Sequence, residues 1–318
     1  MTEKRKSKRR FTIAFYNLEN FFDTKDDPDT LDDDFTPTGS RGWSKKKLTK
    51  KTNKLAKAIR HIGDDETQKH PILIGIAEVE NSAVIELLFQ TEQLEAINYG
   101  YVHFESPDER GIDTALIYDK DHFTVLGSQT IPLLIDNGNG GRDMTRDILY
   151  VQGKLNKEEV HVFVNHWPSR RDGEDETRYK RVKAAEVVLA NIAAIQRPNS
   201  NVIVMGDFND DPSSESIQKL TASGFLFNPM QRLLTPDQGS ANYKGKWGLF
   251  DQILISHTFL NYEKGTHSFK KAGIFSPRFL KEWKGRYKGN PFRTFVGKKY
   301  LGGYSDHFPV YIIVKQHK

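Results

Sequence analysis

The segment from residue 201 to residue 212 constrains the fold of this chain most, because it joins a buried strand to a polar turn. Its apolar run at residues 202–205 is typical of a buried strand, and Gly206 ends that run. Asp207 and Asn209 follow, and side chains two residues apart along a strand tend to face the same way. They can therefore share a proton, a water molecule or a metal ion. Gly-Asp and Asn-Asp are also ordinary turn sequences, so this segment alone leaves a functional turn and a structural turn equally open.

Other strand-like runs also begin or end at a polar side chain. There are six such runs, with these polar groups at their ends: Asn17, Glu78, His166, Asp207 with Asn209, Asp251, and Asp306 with His307. The run at residues 71–77 is nearly all apolar, as in strands buried on both faces. An ionised carboxylate directly after such a strand is costly unless it is paired or bound to a metal, so we predict that Glu78 is a metal ligand. Glu80 is better explained as a negative charge that suits the start of the next helix.

Strands outnumber helices along the chain, and no internal repeat or low-complexity linker divides it. Helices are predicted after the N-cap Ser44 and over residues 177–195. Residues 257–300 are basic and aromatic and are predicted to form loops. We expect a flexible basic N-terminus at residues 1–10 and a single α+β domain at residues 11–318.

The composition limits the class of protein. The 318 residues include no Cys, which excludes disulfides, thiolate nucleophiles and Cys-based zinc sites. No apolar run is long enough to span a membrane, and the basic N-terminus leads into a stretch too short for a secretory signal. We therefore expect a cytoplasmic monomer without a membrane span. The net charge of +5 favours an anionic partner, but solvated lysine runs explain that charge about as well.

The polar side chains at the strand ends indicate a pocket that is rich in oxygen ligands. Mg²⁺ and Mn²⁺ prefer carboxylate, amide and water oxygens, so this set suits either ion. The strand-end set contains only two histidines, His166 and His307, and no Cys, which argues against a structural zinc site. The sequence therefore predicts a site for Mg²⁺ or Mn²⁺.

Taken together, these blocks resemble the endonuclease/exonuclease/phosphatase superfamily, which includes deoxyribonuclease-I-like nucleases, inositol polyphosphate phosphatases and sphingomyelinases. The blocks run in order along nearly the whole chain: Tyr-Asn-Leu-Glu at 16–19, Ala-Glu-Val-Glu at 77–80, Asn-His-Trp-Pro-Ser at 165–169, Gly-Asp-Phe-Asn at 206–209, Phe-Asp-Gln-Ile at 250–253 and Ser-Asp-His at 305–307. Each block alone is a weak match, whereas their joint order is highly specific. The resemblance implies a four-layer α/β/β/α sandwich of two mostly antiparallel sheets with helices outside, and an active site at one edge of it.

The resemblance and the chemistry of phosphoester hydrolysis together imply the ligands of the metal and of the phosphate. Glu78 is the first metal ligand, with Asn17 and Asp306 beside it. A cation held there polarises the phosphoryl group and stabilises the departing alkoxide. Arg110 and Arg170 are candidate contacts to the substrate phosphate.

The remaining motif residues have implied catalytic roles. His307 is the general base, since an imidazole titrates near neutral pH, and Asp251 accepts the other ring N–H of His307 and fixes its tautomer. Asp207 and Asn209 orient the water and hold the phosphate. His166 donates a hydrogen bond to the phosphate oxygens. Whether Asp207 or His307 takes the proton of the water is left open by the sequence.

The predicted function is therefore metal-dependent hydrolysis of a phosphoester, with a nuclease-like phosphodiesterase as the first hypothesis. Lysines and arginines alternate with aromatic residues between 265 and 299, a mixture that suits a nucleic-acid strand. The alternative is a phosphatase of a small molecule such as an inositol phosphate or a phospholipid headgroup. A catalytically silent nucleic-acid-binding module is disfavoured, because none of the catalytic motif residues is lost.

Overall fold

The computed structural model describes residues 9–136, 141–195, 197 and 199–318. Most of the predicted flexible N-terminus, residues 1–8, lies outside the described residues. Arg10 already belongs to the first strand, where it pairs with Lys315. The described ranges contain the following strands, numbered in chain order: β1 Arg10–Phe21, β2 Leu73–Val79, β3 Tyr99–His103, β4 Asp113–Asp119, β5 Phe123–Ile131, β6 Ile135–Asp136, β7 Arg142–Asp143, β8 Ile148–Leu155, β9 Glu158–His166, β10 Val202–Asp207, β11 Leu226–Phe227, β12 Ala241–Tyr243, β13 Lys246–Gly248, β14 Asp251–Ser256, β15 His267–Ile274, β16 Phe295–Val296, β17 Lys299–Tyr300 and β18 Val310–Gln316.

The α-helices of the described ranges are α1 Lys45–His61, α2 Asp64–Thr67, α3 Ser82–Phe89, α4 Glu174–Ile195 and α5 Glu215–Thr221, and short 3₁₀ helices cover Asp33–Phe35, His257–Leu260 and Arg278–Leu280. Helix α1 begins as predicted, because the Ser44 hydroxyl accepts a hydrogen bond from the Lys47 amide at 3.4 Å. It ends before Gly63, whose φ of +71° is left-handed. No helix in the described ranges is both long and apolar enough to cross a membrane.

Two six-stranded sheets form the centre of the molecule. The first sheet has the order β15-β18-β1-β2-β4-β3, and the second has the order β11-β14-β10-β9-β8-β5. Each sheet contains one parallel pair, β1 with β2 and β9 with β10, while its other neighbours are antiparallel. This arrangement confirms the predicted α+β sandwich of two mostly antiparallel sheets.

Three separate apolar cores define the four layers. Alternate side chains of β1 point to opposite faces, so Phe11, Ile13 and Phe15 lie between the sheets while Ala14 and Tyr16 face helices α1 and α3. The outer face of the second sheet is covered by α4 and α5 through a third cluster of apolar side chains. Burial on both faces explains why the central strands are nearly all apolar.

The loop prediction for residues 257–300 is wrong for β15, His267–Ile274, and for the short hairpin of β16 and β17. Strand β15 pairs with β18 at the edge of the first sheet, with a bulge between Phe269 and Lys271. Its polar sequence hides the alternation expected of a strand, and the pairing partner is more than thirty residues away. Strand β3 was likewise not predicted.

Candidate active site

Three neighbouring strands of the second sheet end in one row of polar side chains. Asp207, the last residue of β10, pairs in register with His166 of β9 on one side and with Asp251 of β14 on the other. Neighbouring strands lie about 4.8 Å apart, so the register alone brings the three side chains together. All three are buried. The predicted convergence of these strand ends is therefore present in the structure.

Gly206 allows the close approach of strands β9 and β10 just before this row. A Cβ atom at position 206 would lie 2.3 Å from the backbone oxygen of Asn165. The Asn165 side chain in turn donates to the backbone oxygen of Met205 at 3.2 Å and accepts from the Trp167 indole at 3.0 Å. The glycine of the Gly-Asp-Phe-Asn block is thus required by packing rather than by a special φ angle.

The first sheet contributes Asn17 and Glu78 from the ends of β1 and β2. Both strands are irregular there: Glu19, Asn20 and Glu78 have positive φ angles of 52°, 49° and 59°, and the pairing register shifts at each. Such bulges turn a side chain away from its regular direction and concentrate backbone strain at functional sites. The Asn20 amide donates to Glu78 Oε2 at 2.8 Å and fixes that carboxylate.

Asn17 joins the two sheets through its side-chain amide. Its Nδ2 atom donates to Glu78 Oε1 at 3.3 Å and to Asp207 Oδ2 at 2.9 Å. Its Oδ1 atom accepts from the Glu19 amide at 2.9 Å. The amide nitrogen therefore faces the two carboxylates, while Oδ1, the atom that would bind a metal ion, faces the Glu19 amide.

His307 lies between two carboxylates of the second sheet. Its Nδ1 atom is 2.6 Å from Asp251 Oδ2, as predicted, and its Nε2 atom is 3.9 Å from Asp207 Oδ2. The Ser305 hydroxyl donates to the backbone oxygen of Asn17 at 2.7 Å and accepts from the His307 amide at 3.0 Å. These bonds anchor the turn before β18 to β1 and fix the position of the imidazole.

The charges around His307 favour a protonated imidazole facing ionised carboxylates. Burial lowers the pKa of His307, but Asp251 and Asp207 outweigh it and raise that pKa well above its usual range. Burial raises the pKa of Asp207 to about 6, with the His307 charge opposing the increase and the Asp251 charge adding to it. Near neutral pH, Asp207 is therefore mostly ionised while His307 carries the proton.

His166 is the neutral counterpart of His307. Burial, followed by the charges of Arg146 and Arg110, lowers the pKa of His166 well below its usual range. Its Nε2 atom lies 3.8 Å from Glu78 Oε1 and 3.9 Å from Asp207 Oδ2. Its buried Nδ1 atom has no hydrogen-bond partner among the described residues. A neutral imidazole in this position can offer a hydrogen bond without adding charge.

Two sets of side chains at this edge could hold a cation. Ligand atoms of Asp207, Asp251 and His307 lie within 4.8 Å of one another, and the buried Oδ1 atom of Asp251 has no hydrogen-bond partner among the described residues. Glu78 and Asp306, the predicted ligands, both line one cavity of about 440 Å³. Both sets are rich in carboxylates, which fits a hard divalent cation.

Arginines surround that cavity, but only one of the two predicted phosphate contacts lines it. Arg110 lines the cavity together with Arg41, Arg171 and Arg293. Arg170 instead donates to the backbone oxygen of Asn209 at 2.6 Å and to Asp210 at 2.9 Å, and its guanidinium group lies over the ring of Phe250. The contacts of Arg170 support the turn that carries Asn209, whose φ is +49°, so a direct phosphate contact does not match the structure.

Asn209 is held within that turn rather than pointing freely at the cavity. Its backbone amide donates to Asp207 Oδ1 at 2.9 Å, and its Nδ2 atom donates to the backbone oxygen of Trp167 at 2.9 Å. The Trp167 amide donates to the backbone oxygen of Asp207 at 2.9 Å. The blocks at 165–169 and 206–209 are therefore tied directly to each other.

A buried ion pair beside the cavity was missed by the sequence analysis. Lys51 of α1 donates to the backbone oxygen of Glu19 at 2.7 Å and to the Thr294 hydroxyl at 2.6 Å, and its Nζ atom is 3.7 Å from Glu19 Oε2. Arg293 donates to Asp306 Oδ2 at 2.7 Å and lies 3.6 Å from Glu19 Oε1. Lys51 was read only as part of a basic run, and a single lysine on a helix gives no signal of burial.

Comparison with known proteins identifies the family of this chain. The model of the Endonuclease/Exonuclease/phosphatase family matches residues 12–316. The chain belongs to this family. No curated protein sequence matches the chain. Its membership therefore rests on the family model, supported by similarity of fold to solved structures of the family.

Three similar solved structures illustrate the range of proteins that share this fold. A family protein from Bacteroides thetaiotaomicron is 18% identical, with 96% of this chain and 95% of that chain covered and a TM-score of 0.62. The mannosyl-6-phosphatase of B. thetaiotaomicron VPI-5482 is 17% identical, with coverage of 96% and 99% and a TM-score of 0.60. TDP2 of D. rerio in complex with a single-strand DNA product is 17% identical, with coverage of 96% and 99% and a TM-score of 0.57. At these identities the likeness establishes the fold alone.

Proposed function

We propose that this member of the endonuclease/exonuclease/phosphatase family is a metal-dependent, nuclease-like phosphodiesterase that uses in-line attack of water. The observation that carries the proposal is the position of His307 between Asp251 at 2.6 Å and Asp207 at 3.9 Å. Glu78 lies beside this group, linked to Asp207 through Asn17. Carboxylates, an imidazole pair and an arginine-lined cavity meet the needs of phosphoryl transfer.

We assign the divalent cation, Mg²⁺ or Mn²⁺, to Glu78 and Asp306. Both carboxylates line the arginine-rich cavity, and Asn20 fixes the Glu78 carboxylate by a backbone hydrogen bond. Such an ion, when bound, supplies polarisation of the phosphoryl group and stabilisation of the departing alkoxide. Asn17 acts as a hydrogen-bonding bridge that holds Glu78 and Asp207 in fixed positions, instead of acting as a ligand.

We assign the proton transfer to Asp207 and the stabilisation of charge to the two histidines. Asp207 takes a proton from the attacking water as the new P–O bond forms, while the bond to the leaving oxygen breaks and that oxygen takes a proton from solvent. Imidazolium His307, held by Asp251, donates from Nε2 to the phosphoryl oxygens. Neutral His166 donates a second hydrogen bond. This reverses the sequence-based assignment of His307 as the base, because the surrounding carboxylates favour a charged imidazole.

We propose that Arg110 and Arg171 bind the phosphate oxygens that do not react. Burial, followed by the charge of Arg146, lowers the pKa of Arg110, which nevertheless stays protonated because a guanidinium group loses its proton only far above neutral pH. Arg170 positions the Asn209 turn. Asn209 and Asp207 share that turn, so its geometry sets where the attacking water is held.

A small-molecule phosphatase is the second candidate function. The cavity of about 440 Å³ lined by Glu78 and Asp306 has room for a compact phosphorylated molecule, and arginines lie on several of its sides. A sugar or inositol phosphate would satisfy those arginines as well as a phosphodiester does. The mannosyl-6-phosphatase has the same fold, so the fold is compatible with such a substrate.

The test is turnover of purified protein on single-stranded DNA, plasmid DNA, RNA, a chromogenic phosphodiester, an inositol phosphate and mannose 6-phosphate, with Mg²⁺, Mn²⁺ or EDTA. We expect diester cleavage that EDTA abolishes and that falls at least a hundredfold in Asp207→Asn and in Glu78→Gln. Asp119→Asn is the matched control. Asp119 is also a buried carboxylate, but it lies at the end of β4 that is far from Glu78 and the active site. Turnover of monoesters alone would replace the proposal with the second candidate, and activity in EDTA would refute the metal assignment.

A further inference from the structure

A second cavity of about 440 Å³ adjoins the catalytic one, and Arg293 and Asp306 line both. One wall is the hairpin β12–β13, and the other is the segment at residues 282–296. We call this second cavity the aromatic cleft, and it is lined by Pro236, Asp237, Asn242, Tyr243, Lys244, Gly245, Trp247, Glu282, Arg286, Tyr287, Asn290, Pro291, Arg293, Val296 and Asp306. Neither the family match nor the catalytic scheme assigns it a role.

The hairpin wall is bonded directly to the segment that carries His307. Ala241 forms a bridge with His307, and the Phe308 amide donates to the backbone oxygen of Ser240 at 2.7 Å. Trp247 stacks on the ring of Phe308, with centroids 6.0 Å apart and an interplanar angle of 20°. The base of the cleft is therefore fixed relative to the reacting groups, so any molecule bound in the cleft is placed next to the scissile bond.

The rim of the cleft presents two exposed aromatic rings with a cation beside each. Tyr243 is 71% exposed at the hairpin tip and Tyr287 is 52% exposed on the other wall. Lys244 lies 5.1 Å from the centroid of the Tyr243 ring, and Arg286 lies 5.8 Å from that of Tyr287. Exposed rings indicate a binding surface when several of them occur together on one surface, as they do at this rim.

A hydrogen bond joins the two walls of the cleft. Asn290 donates to Asn242 Oδ1 at 3.3 Å across the cleft. The hairpin tip is a tight turn in which Lys244 and Gly245 have φ angles of +51° and +87°, as the two central residues of a type I′ turn require. A preformed pair of platforms loses little entropy on binding.

We propose that the aromatic cleft binds a single-stranded polynucleotide, with bases next to the scissile phosphate stacked on Tyr243 and Tyr287 and flanking phosphates paired with Lys244 and Arg286. This proposal rests on the phosphodiesterase function and specifies its substrate class. Alternation of ring faces and cations matches a single strand, whose bases are free to stack and whose backbone is anionic. In a duplex the bases are already stacked, so the rings would find no partner.

Three acidic side chains line the cleft together with three cations, Lys244, Arg286 and Arg293. Asp306 is paired with Arg293 at 2.7 Å at the inner end. Burial raises the pKa of Glu282, and Asp237 is the third carboxylate of the lining. A small phosphorylated sugar, by contrast, would fill the catalytic cavity and leave the outer rings and cations without a contact.

The test measures binding separately from cleavage. Fluorescence anisotropy of a labelled ten-nucleotide poly-dT strand is recorded in EDTA with wild type, Tyr243→Ala and Tyr287→Ala. We expect each variant to raise Kd about tenfold or more, the loss of one stacked base. Tyr262→Ala is the matched control, because Tyr262 is 67% exposed and Lys270 lies 4.1 Å from its ring centroid. Its ring makes an edge contact with His317, beyond the end of β18 that is far from the active site. We expect its Kd to stay within twofold of wild type.

A second measurement tests the cations. Removing one phosphate contact from a single strand lowers the slope of log Kd against log salt by about 0.7. Lys244→Gln and Arg286→Gln should each reduce the slope by that amount, with melting temperatures measured to confirm folding. An unchanged slope in both variants would overturn the assigned phosphate contacts.

The outcomes separate this inference from the proposed function. If the strand binds through Tyr243 and Tyr287 but no nucleic acid is cut with Mg²⁺ or Mn²⁺, the phosphodiesterase function is wrong while the binding cleft stands. If a chromogenic diester is cut while the strand binds equally to wild type and both tyrosine variants, the function stands and the cleft is refuted. The cleft proposal would also be refuted if Tyr243→Ala and Tyr287→Ala turned over mannose 6-phosphate more slowly but bound the strand as wild type does. It would be refuted as well if the protein bound duplex DNA as tightly as the single strand.

Discussion

The contact between Asp251 and His307 offers the sharpest test of the proposed chemistry. Asp251→Asn replaces a buried carboxylate oxygen that lies 2.6 Å from His307 Nδ1 with an amide of nearly the same shape. The substitution removes the negative charge that raises the pKa of His307, so that pKa falls towards its ordinary range. The imidazole then tends to lose the positive charge that the proposed role requires.

The size of the effect follows from the bond and from the tautomer. A hydrogen bond to a charged group contributes roughly 1.5–3 kcal/mol, which corresponds to a loss of about tenfold to about 150-fold in kcat/KM if it acts only in the transition state. If the Asn amide donates to Nδ1, the ring proton stays on Nε2, so the neutral imidazole still donates to the phosphoryl oxygens and only its positive charge is lost. We therefore expect a decrease between these limits.

The assay is steady-state hydrolysis of a chromogenic phosphodiester with saturating Mg²⁺, compared with Asp119→Asn. Asp119 accepts from His70 Nε2 at 2.8 Å and is as buried as Asp251, but it lies at the far end of β4. The control therefore breaks a similar His–Asp pair without touching the site. Retention of kcat/KM within threefold in Asp251→Asn, or an equal loss in both variants, would refute the role of Asp251.

Three further predictions concern stability. Lys51→Met removes the buried one of the two cations beside the Glu19 carboxylate, leaving only the more exposed Arg293, and should lower the free energy of unfolding by about 3 kcal/mol in urea denaturation. The double change Lys51→Met with Glu19→Gln should lose less than the sum of the two single changes. Gly206→Ala places a methyl group 2.3 Å from a backbone oxygen of the next strand and should cost about 1–3 kcal/mol and reduce activity; a melting temperature equal to wild type would contradict the packing argument. Burial raises the pKa of Asp119, but the hydrogen bonds from His70 and from a backbone amide lower that pKa overall. The stabilisation that Asp119 contributes is therefore complete above about pH 4, the unfolded pKa, and is lost as the pH falls through the folded pKa. The stability difference between wild type and Asp119→Asn should therefore shrink in denaturation curves recorded below pH 4, and a difference that grows there would contradict the sign.

The fold could be predicted from the sequence where the pattern is local. The apolar strands at the centre of each sheet are buried on both faces, so their composition alone identifies them. Strand β15 escaped prediction because it is an edge strand with a bulge, and its polar side chains face solvent on one side. Strand β3 also lies at the edge of its sheet. Edge strands depend on their pairing partner, which a single sequence does not reveal.

The candidate site could be predicted as a set of residues but not as a set of contacts. The motif order predicted Glu78, Asp207 and His307, since each lies at the end or just before the start of a recognisable strand. The sequence could not distinguish Arg170 from Arg171, because two adjacent arginines in a loop point to different places only once the turn at Asn209 is built. The ion pair of Lys51 was hidden for a similar reason: burial of a lysine depends on a segment more than two hundred residues away.

The contacts of Asn17 explain why the catalytic groups require both sheets at a fixed separation. One amide nitrogen donates to Glu78 of its own sheet and to Asp207 of the other, so the bond to Asp207 lengthens if the sheets move apart. Tight packing in the core fixes the separation of the two sheets. A Cβ atom on Gly75 of the first sheet would lie only 2.6 Å from Met205 Sδ of the second. Because well-packed interiors resist compression and expansion, the apolar core between the sheets holds the distance between the proposed cation ligand and the proposed base. The buried strands are therefore part of the catalytic arrangement, although none of their apolar side chains touches the substrate.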